Sequence, residues 1–239
     1  MPKRQYPSSG GLVFHVCNRA IRRETLFHTR DDFLAFIRAV VEAQTVVDMR
    51  LLEWCLMRNH FHFLLWPRAD GDLTRFLYMV SQRHACRWSR FHRTRGTGPV
   101  YQGRFNARPV DSGFSFLTRA CYVIRNPVEK HLVTRAEDWP WCSASTAALP
   151  EPRPALHEHW PLPRPANWLD IVHLPTKRAR ACEFERSLVA NAAAPASDEW
   201  RTATAALQVW MASRRRPGRP RKVNESGTGL PSGPGLALT

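Results

Sequence analysis

The sequence predicts an α+β fold: a ferredoxin-like (RRM-like) βαββαβ core with an antiparallel sheet, then a further helix and a helical C-terminal extension. Three observations carry this expectation. Four short runs are rich in β-formers and bounded by turn residues, which marks strands. Two longer stretches repeat apolar residues every three or four positions, which marks helices. Their order is strand, helix, strand, strand, helix, strand, the split βαβ arrangement.

Residues 10–17, GGLVFHVC, open the sheet. A basic loop follows at 18–26 with Arg19, Arg22 and Arg23. Asp31 or Asp32 begins the first helix, where Phe33, Phe36, Ile37, Val40 and Val41 keep helical spacing. The second strand is expected at 49–57 and the third at 60–66, with Arg58 and Asn59 forming a hairpin turn. In the third strand Phe61, Phe63 and Leu65 share one face, and His60, His62, Leu64 and Trp66 share the other. A strand apolar on both faces is central and covered twice.

The second helix runs from 72 to about 91, with Leu73, Leu77, Val80, His84, Trp88 and Phe91 as its inner stripe. Arg83, Arg87 and Arg90 lie on an adjacent stripe. Between positions 73 and 110 there are eight arginines and no carboxylate. A solvated face mixes signs, so this region is expected to track phosphates. Arg75, Arg83, Arg87, Arg90 and Arg104 are the candidate backbone contacts, and Gln102 is a candidate reader of a base edge. The fourth strand is expected at 100–110, and Asp111 or Ser112 caps a helix at 114–125 that Pro127 should end.

Beyond 129 a loop carries Trp139 and Trp141, and residues 150–165 hold six prolines, expected as an extended, unpacked connector. A last helix at 198–212 is capped by Ser197. The chain thus divides into a catalytic or binding segment at 1–147, a connector with helices at 148–212, and a basic tail at 213–239 expected to be disordered.

Composition narrows the function. Of 239 residues, 35 are Lys or Arg and 20 Asp or Glu, a net charge of +15 that suits a polyanionic partner. Arginine dominates, and its planar fork suits phosphates and guanine edges. No apolar run is long enough to span a membrane, and the first residues lack a secretory signal. Six scattered cysteines without a C-x-x-C pair suit a reduced, cytoplasmic interior.

His60 and His62 lie two apart on one strand face, so their imidazoles point the same way. That pattern suits a metal site or a buried hydrogen-bonded pair. Tyr122 and Asn126 lie four apart and share a helix face, and a core tyrosine would also fit there.

Five blocks now stand in order: Asn59 to Leu65 (NHFHFLL), Tyr101 to Phe105 (YQGRF), Cys121 to Val128 (CYVIRNPV), Trp139 to Ser143 (WPWCS) and Gly218 to Lys222 (GRPRK). Together they resemble the REP-associated tyrosine transposases, of the single-tyrosine HUH superfamily, over nearly the whole chain. The resemblance implies a single-stranded DNA endonuclease and strand transferase acting on hairpins of repetitive extragenic palindromes. It implies Tyr122 as nucleophile, forming a covalent 5′-phosphotyrosine, and His60, His62 and Asn126 as ligands of Mg²⁺ or Mn²⁺. Arg58 stands where a proline is frequent and Phe61 where a smaller aliphatic is, and neither removes a functional group. Related transposases often carry Gln where Asn126 stands. The tail, with Arg215, Arg216, Arg219 and Arg221, resembles an AT-hook, an extended segment suited to a minor groove. The implied partner is single-stranded or hairpin DNA, met by a monomer in the cytoplasm at the nucleoid. A rival reading is a non-catalytic hairpin DNA- or RNA-binding protein on the same fold. It explains the charge but leaves His60, His62, Tyr122 and Asn126 unconnected.

Overall fold

A computed structural model describes residues 9–147, 153–190 and 196–213. Four strands, β1 (Phe14–Arg19), β2 (Met49–Met57), β3 (His60–Pro67) and β4 (Asn106–Pro109), pair antiparallel in the order β2-β3-β1-β4. Helices α1 (Arg30–Gln44) and α2 (Asp72–Phe91) cover one face, and α3 (Gly113–Glu129) covers the other. Strand order and helix placement make the core ferredoxin-like, with α3 added on the face that such a sheet otherwise leaves open.

β3 lies between β2 and β1 and is buried along its length. Its alternation divides the interior in two. Phe61, Phe63 and Leu65 join Phe36, Ile37, Phe76 and Val80 under α1 and α2. Leu64 and Trp66 join Phe116, Leu117, Ala120 and Ile124 under α3.

Local chemistry sets the helix ends. Thr29 caps α1 in a capping box: its Oγ1 accepts from Asp32 N, and Asp32 Oδ2 accepts from Thr29 N. The buried Asp32 also accepts from His92 Nε2 at 2.8 Å, tying the start of α1 to the residue after α2. Gly71 starts α2 at φ 85°, a left-handed backbone that favours glycine. Ser112 caps α3 by accepting from Ser115 N.

Several expectations need correction, the first strand among them: it spans Phe14–Arg19 and not 10–17. Pro127 does not end α3; the helix runs through it to Glu129. Val123, Ile124, Asn126 and Pro127 are all buried, so packing outweighs the lost amide donor. β4 spans only Asn106–Pro109, because Gly103 takes φ 137° and breaks the run; before it, only an isolated bridge joins Tyr101 to Ala20. Phe91 is not part of the inner stripe of α2 and is 66% exposed, whereas Phe76 is buried. The proline-rich connector packs where it is described: Leu162 is buried and Trp160 lies against Phe116 and Trp168.

The segment after α3 is more than a loop. Leu56 N donates to Trp141 O, Ser143 N donates to Trp54 O and Trp139 Nε1 donates to Leu56 O, so it straps the outer edge of β2. His157 N donates to Leu51 O further along the same edge. Two helices unassigned in the sequence, α4 (Trp168–His173) and α5 (Lys177–Ala190), pack Trp168 and Phe184 into the α3 side. The last, α6 (Asp198–Ser213), places Trp200 in that core and Leu207 in the other. Glu199 of α6 receives Arg50 Nη1 and Nη2 at 2.8 and 2.5 Å, and Arg50 is buried over the Trp66 ring.

Candidate functional site

Pleating sets which side chains meet. On the α3 side of the sheet, β3 presents His60 and His62, β1 presents His15, Cys17 and Arg19, and β4 presents Asn106 and Arg108. In register, Cys17 faces His62 and Asn106, while His15 faces Arg108. The result is a polar row across three strands, beside the apolar floor on which α3 packs.

A cleft of about 280 Å³ opens over this row, lined by Cys17, Asn18, Arg19, His60, His62, Gln102, Arg104 and Asn106. It therefore brings four residues singled out in the sequence, His60, His62, Gln102 and Arg104, to one opening. Tyr122 stands beside it on α3, 36% exposed. Its ring meets His62 edge-on at 5.3 Å between centroids and His15 at 5.6 Å. Asn126, one turn further along α3, is buried, and its Oδ1 has no hydrogen-bond partner among the described residues.

The imidazoles are held neutral. Burial, then the charges of Arg119 and Arg108, push His15 down to about 4. Burial, then Arg19 and Lys130, push His60 down to about 4. Burial, then the neighbouring imidazoles and Arg19, hold His62 well below the usual histidine range. A neutral imidazole keeps a lone pair, which a cation requires of its ligand.

Three side chains here carry donor atoms of kinds that a divalent cation takes. His62 Nε2 and Asn126 Oδ1 are both buried and unpartnered among the described residues. His60 Nδ1 is engaged with Asn59 Oδ1 at 2.7 Å, which leaves its Nε2 as the lone-pair nitrogen. Among the described residues no three His, Cys, Asp or Glu side chains are grouped for a metal. A cation there would need an amide oxygen or oxygen atoms from a bound polyanion as further ligands.

The arginines divide between the two sides of the sheet. Arg83 and Arg87 lie with α2 on the other side from the histidines, and both pair with Glu42 of α1 at 3.1 and 2.8 Å. The stripe is therefore not a field of uncompensated charge: its carboxylate lies some forty residues away in sequence. Arg75 and Arg90 are exposed on the same helix. Arg215, Arg216, Arg219 and Arg221 lie outside the described residues.

Sequence reasoning passed over His15, Arg108, Arg119 and Lys130 as site residues and treated Arg19 as loop. The available signal was the period-two run His15, Cys17, Arg19, which shares the face of any strand paired with His62.

No family model and no curated protein matches the sequence. Among solved structures, the chain is similar to one of a transposase complex. It is described as the structure of the REP associates tyrosine transposase bound to a REP hairpin. The TM-score is 0.49 at 20% identity, over 60% of this chain and 82% of that one. At that distance the likeness carries nothing about activity, and the functional case rests on the side chains described above. Among the described residues no helix is long and apolar enough to cross a membrane.

Proposed function

We propose that the chain is a metal-dependent single-stranded DNA endonuclease and strand transferase acting on hairpin DNA through a covalent 5′-phosphotyrosine. The observation that carries the reading is the contact of Tyr122 with His62: a partly exposed phenol ring stands 5.3 Å from that imidazole, which lines a cleft with His60, Arg19 and Arg104. A core tyrosine would bury its ring, whereas Tyr122 is 36% exposed with its ring against two imidazoles.

His60, His62 and Asn126 would hold Mg²⁺ or Mn²⁺. The cation would withdraw charge from a phosphate and favour its attack by a weak nucleophile. Arg19 and Arg104 line the same cleft and would hold phosphate oxygens by charge-assisted hydrogen bonds. Tyr122 Oη attacks phosphorus and gives its proton to solvent. The bond from phosphorus to the 3′ oxygen breaks, and that oxygen leaves as a hydroxyl. One phosphodiester is exchanged for another, so a second 3′-hydroxyl can reverse the step and join strands without a nucleotide cofactor.

The substrate class follows from access. A phosphate inside a regular duplex is hard to bring into a cleft this small, whereas an unpaired strand beside a hairpin can enter. Arg75, Arg90 and the tail arginines are the proposed contacts for the rest of the hairpin, and Gln102 the proposed base reader. The protein would act as a monomer, since Tyr122 stands beside His62 of its own chain, and would work in the cytoplasm on nucleoid DNA. The deciding experiment incubates the full chain with a 5′-labelled or 3′-labelled hairpin oligonucleotide and Mn²⁺. The proposal expects a protein–DNA adduct retaining the 3′ fragment, lost in Tyr122→Phe. Retention on a native gel with no adduct under any divalent cation would select the non-catalytic binder instead.

A further inference from the structure

We infer that His15 is a positioning residue: it accepts the Nδ1–H of His62 and so turns the Nε2 lone pair of His62 toward the cation. The inference rests on the metal reading above and adds a residue that the HUH pattern does not contain.

His15 lies on β1, diagonal to His62 across the β1–β3 ladder, and both point to the α3 side. His15 Nε2 and His62 Nδ1 are 3.1 Å apart. The two rings lie within 12° of parallel with centroids 5.2 Å apart. Nearly parallel rings joined nitrogen to nitrogen form an in-plane N–H···N bond, in which one ring must donate and the other accept. Each neutral imidazole has one N–H and one lone pair, so the direction of this bond fixes both tautomers.

The two directions differ in what they leave behind. Were His15 the donor, His62 would carry its proton on Nε2. That nitrogen is buried with no partner among the described residues. A buried N–H without an acceptor is costly, and a protonated nitrogen cannot bind a metal. With His62 as donor, Nε2 carries a lone pair, and a cation in the cleft would satisfy it. His60 has the same arrangement by another route: its Nδ1 donates to Asn59 Oδ1, an atom that can only accept. Both candidate ligands are thus held from behind through Nδ1 and face forward through Nε2. This is how hydrogen bonds behind metal-bound histidines orient them.

His15 also touches the ring of Tyr122 edge-on. Its replacement could therefore disturb the nucleophile by packing alone, so the test must read something other than nicking. The first measurement is the His62 tautomer in the metal-free full-length chain, from long-range ¹⁵N–¹H correlation spectra of histidine-labelled protein. The expected result is Nδ1–H in the wild type. His62 found as the Nε2–H tautomer would overturn the inference without any variant. The second measurement is Mn²⁺ affinity by calorimetry without DNA, on His15→Leu and His15→Gln. The leucine fills space without an acceptor and should weaken Mn²⁺ binding roughly 10- to 100-fold. The glutamine offers an amide oxygen and should recover most of the affinity and the Nδ1–H tautomer. Wild-type Mn²⁺ affinity in a folded His15→Leu would overturn the inference. A wild type that binds no Mn²⁺, yet keeps His62 as Nδ1–H, would sink the metal reading and leave the His15–His62 bond as stated.

Discussion

The two faces of one sheet carry opposite designs. Under α1 and α2 the face is mainly aromatic: Phe36, Phe61, Phe63 and Phe76 are fully buried around His84, whose Nε2 has no partner among the described residues, and Arg83 and Arg87 lie outside, paired with Glu42. Under α3 the floor is apolar only in part. Its remainder is a row of histidines, arginines and an asparagine, with buried nitrogen and oxygen atoms left unpartnered among the described residues. A fold tolerates unsatisfied polar atoms where a ligand completes them. One face is therefore closed over aromatic rings, and the other opens a polar row to a cleft. β3 serves both, with phenylalanines on one side and histidines on the other.

The largest effect that would break this contrast is chemical. Tyr122→Phe removes one hydroxyl and should lower adduct formation at least about 10³-fold, as expected for a lost nucleophile. Hairpin affinity should stay within about twofold, measured by gel shift in the same buffer. Next comes the aromatic face. Phe36→Ala should cost about 3–5 kcal/mol in urea unfolding, because a fully buried ring leaves a cavity. His62→Ala on the other face should cost less than Phe36→Ala while abolishing Mn²⁺ binding; equal losses of stability would erase the distinction.

Acid should act through the buried imidazoles of both faces. His15 and His60 are held at about 4 and His84, under α2, at about 3, against 6.5 for an ordinary imidazole, so the unfolded chain takes protons more readily than the folded one. Stability is then complete above pH 6.5 and is lost as pH falls toward 4, by roughly 2 kcal/mol or more in all. Glu53 works the other way: burial pushes its carboxyl up to about 7 from 4.5, so it destabilises as pH rises over that interval. Urea titrations from pH 4.5 to 7.5 in a Glu53→Gln background would isolate the histidines. A flat profile there would deny that the imidazoles are kept neutral.

The smallest effect separates the arginines. Arg104→Ala should lower hairpin affinity and reduce the slope of log affinity against log salt by about 1. Arg83→Ala, which loses an exposed ion pair to Glu42, should change stability by less than about 1 kcal/mol and that slope by less than Arg104→Ala does. The reverse order would place the polyanion on α2 rather than over the cleft.

The parts legible in the sequence were those governed by local period. The limits of β2 and α2, the hairpin at Arg58-Asn59 and the two faces of β3 all follow from alternation or from spacings of three and four. What escaped depends on residues far apart. Glu42 neutralises Arg83 from another helix, and His15 reaches His62 across 47 positions of chain. Pro127 is a helix breaker by its own chemistry and survives in α3 because neighbours bury it. The connector prolines suggest an open strand, yet Trp160 and Leu162 anchor it to α3. For the candidate site, the imidazole pair and the tyrosine were visible as motifs, while the charges that set their protonation come from strands paired only in three dimensions.

The strap over β2 has a consequence for life at high concentration. A bare sheet margin invites another copy to extend it and so begin an aggregate. Here Trp54 and Leu56 already spend their outward amide and carbonyl groups on Trp139, Trp141 and Ser143 of the same chain. The opposite margin is a four-residue strand closed by Pro109, which has no amide hydrogen to offer a newcomer. With mutual repulsion from a net charge of +15, copies of such a molecule resist extending one another's sheet.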